Sequence, residues 1–102
     1  MPTISGGDIR KLVVACDAGM GSSVMLASQL RKQLKKQQVE VTHTPVAEIP
    51  KDADLVVTHA QLADRARSTV PGIPVVPFQI FLGDPAVARV VKAVQDGTDL
   101  DV

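Results

Sequence analysis

The sequence predicts a small open α/β domain, a four-stranded sheet with parallel strands and about three helices on its two faces. Three observations lead there. Short β-branched apolar runs alternate with segments whose apolar residues recur at helical spacing. Three of the strand runs are nearly continuous in apolar residues, as in parallel strands buried on both faces. The order of elements, β-α-β-β-α-β-α, is that of right-handed crossovers over one sheet.

Each element has its own signal. The opening "MPTISGGDIR" combines a proline, a glycine pair and polar residues, and reads as a flexible arm over residues 1–10. "KLVVA" (11–15) is a buried strand. From about Ser22 to Lys36 the period changes: Leu26, Ala27, Leu30 and Leu34 form one stripe, with Arg31, Lys32, Lys35 and Lys36 off it as a solvated face. "VEVTHT" (39–44) alternates as a second strand, with His43 on its face. Pro45 and Pro50 then predict a loop or single turn up to residue 53. "DLVVTHA" (54–60) is the third strand. In "QLADRARSTV", Leu62, Ala63, Ala66 and Val70 mark a short helix stopped by Pro71 and Gly72. "IPVVPF" (73–78) is a fourth strand whose prolines place it at an edge. Asp84 and Pro85 are N-cap and first-turn signals for a helix with a stripe of Val87, Val90, Val91 and Val94. The domain proper is thus 11–96, and 97–102 is a polar, frayed tail.

At 102 residues and 45% apolar content the chain is one small globular domain. Lys plus Arg equals Asp plus Glu at 11 each, which removes the electrostatic footprint of a nucleic-acid binder. Two Phe with no Tyr or Trp leave few platforms for stacked bases. No apolar run approaches the roughly 18 residues of a membrane span, and the first ten residues lack a secretory signal pattern. A single cysteine excludes an internal disulfide and points to a reducing, cytoplasmic compartment.

That cysteine, Cys16, sits where the first strand meets the loop Asp17, Ala18, Gly19, Met20, Gly21, Ser22, Ser23, which runs into the first helix. Glycines let successive backbone N–H groups converge, and a helix N-terminus adds its dipole, so the pattern predicts an anion cradle. The same features lower a thiol pKa and make Cys16 a candidate nucleophile able to carry a phosphoryl group. The bland alternatives are a buried cysteine beside a tight turn with a serine cap. The loop lacks the Gly-Lys-Ser/Thr ending of nucleotide-binding loops. Compared with the Cys-x5-Arg loop of cysteine phosphatases, Ser22 stands where the arginine would be, so the group that holds phosphate for hydrolysis is missing. Asp84 reads as a helix cap rather than a general acid. His59, at another strand end, is a candidate for contact with the phosphate or a partner; a supporting or surface role is the alternative. No metal cluster is signalled.

"VVACDAGMGSSVM" resembles the active loop of the enzyme IIB domains of the bacterial phosphoenolpyruvate-dependent sugar phosphotransferase system, in the mannitol-type branch. "LVVTHAQLADRAR" and "FQIFLG" resemble further segments of that branch. The resemblance implies strand order 2-1-3-4, similar to low-molecular-weight tyrosine phosphatases. It implies that Cys16 takes a phosphoryl group from a IIA phosphohistidine, with residues 17–23 as its cradle and no cofactor. It further implies transfer to a sugar, mannitol or a related hexitol, bound by a membrane IIC component, with the domain docking through IIC at the inner face of the membrane without inserting. A cysteine phosphatase and a non-catalytic regulatory module on the same fold are the rival readings.

Overall fold

The computed structural model describes residues 3–16, 21–79 and 85–101. Its elements are β1 (Thr3–Ser5), β2 (Lys11–Cys16), α1 (Gly21–Gln33), β3 (Glu40–Pro45), β4 (Leu55–His59), α2 (Ala63–Thr69), β5 (Val75–Phe78), α3 (Pro85–Asp96) and β6 (Asp99–Asp101). β2 to β5 form one sheet in the order β3-β2-β4-β5, and every neighbouring pair is parallel. With the four sheet strands counted from β2, this is the predicted order 2-1-3-4. The proline-bearing β5 lies at an edge, where the missing N–H of Pro77 breaks no interior ladder.

The alternation of each central strand divides the core in two. Leu12, Val14, Leu55, Val57, Val76 and Phe78 pack with the stripe of α1 (Leu26, Ala27, Leu30, Leu34) and the valines of α3. Val13, Ala15, Val56 and Val75 face the other way, onto Leu62, Ala63, Ala66 and Val70 of the α2 segment. Both faces of β2 and β4 are therefore buried, which explains why their sequences show no polar alternation. Burying each large aliphatic side chain is worth about 1.5–3 kcal/mol. Between β3 and β4, where a loop or single turn is predicted, there is a 3-10 turn at Val46–Glu48, and Val46 and Ile49 fill the α2-side core.

Polar contacts fix the amino ends of the strands. Asp54 Oδ2 accepts from the backbone N–H groups of Arg10 (2.9 Å) and Lys11 (3.0 Å), and Asp54 N donates to the Lys11 carbonyl (2.9 Å). Lys11 Nζ reaches both carboxylate oxygens of Asp52, at 2.9 and 3.0 Å. Arg31 belongs only partly to a solvated face, since its Nε donates to the Val41 carbonyl at 2.8 Å and ties α1 to edge strand β3.

At the two termini, read from the sequence as an arm and a polar tail, the structure has a short strand pair. β1 pairs antiparallel with β6, Thr3 opposite Asp101 and Ser5 opposite Asp99. Gly6 N donates to the Thr98 carbonyl at 2.8 Å, and Ile9 is fully buried among the α1 and α3 side chains. Gly6 also packs so closely on the end of α3 that a Cβ there would lie 2.0 Å from the Ala93 carbonyl oxygen. The helix stops through Gly97, at φ 69°, with Thr98 N donating back to Ala93 O at 3.0 Å.

Candidate functional site

In an open parallel sheet, the carboxyl ends of the strands are where loops converge and ligands bind. Here those ends are Cys16, Pro45, His59 and Phe78. Cys16 is the last residue of β2 and pairs with Pro45 of β3; His59 pairs with Phe78 on the far side. Between them the β2–β4 ladder runs to Ala15 opposite Thr58. Cys16 and His59 therefore close two adjacent central strands at the same pole of the sheet.

The connection from Cys16 to α1 has only four residues, so the strand end leads almost directly into a helix N-terminus. The first turn of α1 has no acidic side chain, and its last turn carries Arg31 and Lys32. No acidic side chain within that first turn offsets the positive end of its dipole. Asp17, Ala18, Gly19 and Met20 lie outside the described residues, as does Asp84. Of Cys16, Gly21, Ser22 and Ser23, the described part is the backbone: the final residue of β2 and the first three of α1. α3 does begin at Pro85, as its first-turn signal predicts.

His59 has a local structural task. It is the N-cap of the 3-10 turn Ala60–Leu62, and its Nδ1 accepts from Gln61 N at 3.1 Å. With Nδ1 as acceptor, the proton of the neutral ring is on Nε2. The ring also meets Phe78 edge-on, centroids 5.9 Å apart and planes at 82°. Both contacts help hold the imidazole at the strand end. His43 is exposed on β3, opposite Val14.

Two features escaped sequence reasoning. Thr58 is wholly buried, and its Oγ1 donates to the Ala15 carbonyl at 2.9 Å, one residue before Cys16. Val24 and Met25, in the first turns of α1, are the large exposed hydrophobics among the described residues, with Met25 61% exposed. They place apolar surface on the first turns of α1. Among the described residues, no group of three or more potential metal ligands is present, and no helix is long and apolar enough to cross a membrane.

Fold and strand-end arrangement together define an open parallel α/β domain in which a cysteine-tipped central strand leads within four residues to a helix N-terminus. Residues 11–93 match the family model described as "PTS system, Lactose/Cellobiose specific IIB subunit", and the chain belongs to this family. Among curated proteins it is 46% identical over 79 residues to a PTS system mannitol-specific EIICB component of Geobacillus stearothermophilus, covering 76% of this chain and 17% of that protein. It is 42% identical over 89 residues to the PTS system mannitol-specific EIICBA component of Escherichia coli K12, covering 78% of this chain and 14% of that one. The chain thus spans less than a fifth of the length of these relatives. The lactose-specific IIB component domain structure from Streptococcus pneumoniae aligns with a TM-score of 0.48 at 19% identity, over 87% of this chain and 94% of that one.

Proposed function

We propose that this domain is the phosphoryl carrier of a sugar phosphotransferase system, with Cys16 as its acceptor. The observation that carries the reading is the position of the chain's sole cysteine, at the end of a central strand and four residues ahead of a helix N-terminus with no acid in its first turn. The Cys16 thiolate attacks the phosphorus of a IIA phosphohistidine. The S–P bond forms as the P–N bond breaks, and the imidazole keeps the electron pair. A hydroxyl oxygen of the sugar held by IIC then attacks the same phosphorus. The S–P bond breaks, the thiolate is regenerated and the hydroxyl proton is released. The phosphoryl group itself is the only cargo, so no cofactor is needed. Backbone donors of residues 17–23, with the Ser22 and Ser23 hydroxyls, cradle it. Ser22 in the place of a phosphatase arginine favours a carrier over a hydrolase.

His59 supports the site from the neighbouring strand through Nε2, and Val24 and Met25 add apolar surface for docked IIA and IIC. The mannitol-specific names of the relatives favour mannitol or a related hexitol as the acceptor. Their EIICB and EIICBA designations favour IIC and IIA as partners, with the domain working at the cytoplasmic face of the membrane. The test is intact mass after incubation with phosphorylated IIA. One phosphoryl group should add to the native chain and none to Cys16→Ser. Uptake by the serine variant at the native rate would sink the assignment.

A further inference from the structure

Among the described residues, Thr58 is the one polar side chain in the buried core. Its strand neighbour on the same face, Val56, packs against the apolar residues of the α2 side. A valine at 58 would fill the same volume and suit the strand equally well, without a hydroxyl to satisfy. The hydroxyl has one recorded task, its 2.9 Å bond to the Ala15 carbonyl. That carbonyl belongs to the peptide unit whose nitrogen is that of Cys16. On the β3 side the ladder continues to Cys16 opposite Pro45, whereas on the β4 side its last pair is Ala15 opposite Thr58. The side-chain bond therefore braces the peptide plane where the β4 ladder stops. A carbonyl has two lone pairs, so this bond can add to a ladder bond.

We infer that Thr58 is a positioning residue for Cys16, fixing the Ala15–Cys16 peptide and with it the backbone that carries the thiol. The inference rests on the carrier reading only for its effect on phosphoryl transfer. Its effect on the reactivity of the thiol stands without that reading.

The test uses the full chain with Thr58→Val, Thr58→Ala, Thr58→Ser and a packing control, Val56→Ala. The pH profile of Cys16 alkylation by iodoacetamide is measured beside thermal stability and phosphoryl uptake from phosphorylated IIA. Thr58→Val and Thr58→Ala should move the profile to higher pH and slow uptake about tenfold, inside the roughly hundredfold that a 1 Å misplacement can cost. Thr58→Ser, which keeps the donor, should stay within about twofold of native on the same reasoning. Val56→Ala should lose stability yet keep the native alkylation profile. Native alkylation profiles in the folded Val and Ala variants would overturn the inference, as would a matching shift in Val56→Ala or failure of Ser to rescue. If the native chain takes up no phosphoryl group while the alkylation contrast holds, the carrier reading falls and the positioning role stands.

Discussion

Replacing Gly6 by alanine asks whether the terminal strand pair is part of the folded domain. A Cβ at this position would lie 2.0 Å from Ala93 O, 2.3 Å from Ala93 C and 2.9 Å from Thr98 O, all backbone atoms with no rotamer to change. Either the end of α3 shifts or the β1 segment lifts away and loses the 2.8 Å bond from Gly6 N to Thr98 O. Overpacking of this kind costs about 1–3 kcal/mol and the hydrogen bond about 1 kcal/mol. The lower entropy of an unfolded chain with alanine returns about 0.4–1 kcal/mol. The net loss is about 1–3 kcal/mol, a large part of the roughly 5–15 kcal/mol that holds a small domain together. It should lower Tm by about 5–20 °C. Gly7→Ala is the internal control, because its Cβ would meet nothing closer than 3.7 Å. It should change stability by no more than about 0.5 kcal/mol. Urea and thermal unfolding of the two variants decide the matter. If Gly6→Ala is as stable as Gly7→Ala, the close packing of β1 on α3 is refuted.

Asp52→Asn should flatten the pH dependence of stability. The hydrogen bond from Lys11 holds the Asp52 carboxyl below its ordinary value of 3.8, and the same bond raises Lys11 above 10.5. The acid contribution is complete above 3.8 and is lost as pH falls through the depressed folded value; the lysine contribution is complete below 10.5 and is lost as pH rises through the raised one. In the variant the acid loss should vanish and the alkaline loss should shrink, because Glu40 and Asp54 still raise Lys11; unchanged acid and alkaline limbs in a pH series of urea titrations would count against the pairing. Gly97→Ala should cost about 1 kcal/mol, because φ 69° is unfavourable for alanine even where space is open. Gly72→Ala, with open space and no such φ, should be neutral by the same denaturant assay.

The parallel sheet was legible because its central strands are buried on both faces and read as unbroken apolar runs. The helices were legible because Leu26, Leu30 and Leu34, and later Val87, Val90 and Val94, recur at the helical period. The strand pair of the termini was not. Its strands are three residues each, too short for a period, and each exists only through a partner more than 90 residues away in sequence. The same Gly-Gly that marks a flexible link in isolation here permits contact with a helix end, and Ile9 looks like part of a tail until α1 and α3 cover it. At the site, the switch from an apolar run to a glycine loop made Cys16 visible. Thr58 stayed hidden because a β-branched residue in "LVVTH" needs no explanation, and its hydrogen-bond partner is 43 residues away.

The pairing of β1 with β6 also governs how the domain can be tethered. β2 runs from Lys11 to Cys16, and at ~3.3 Å per residue its two ends are on the order of 17 Å apart. Polypeptide adjoining residues 3 and 101 would leave side by side, because Thr3 pairs with Asp101. A body hung from such paired ends can rotate about its attachment and face successive docking sites without unwinding its sheet. On the carrier reading proposed above, a linker joined there would set the effective concentration of the cysteine at each partner through its length and stiffness, so shortening such a linker should change encounter frequency while leaving the strand end untouched.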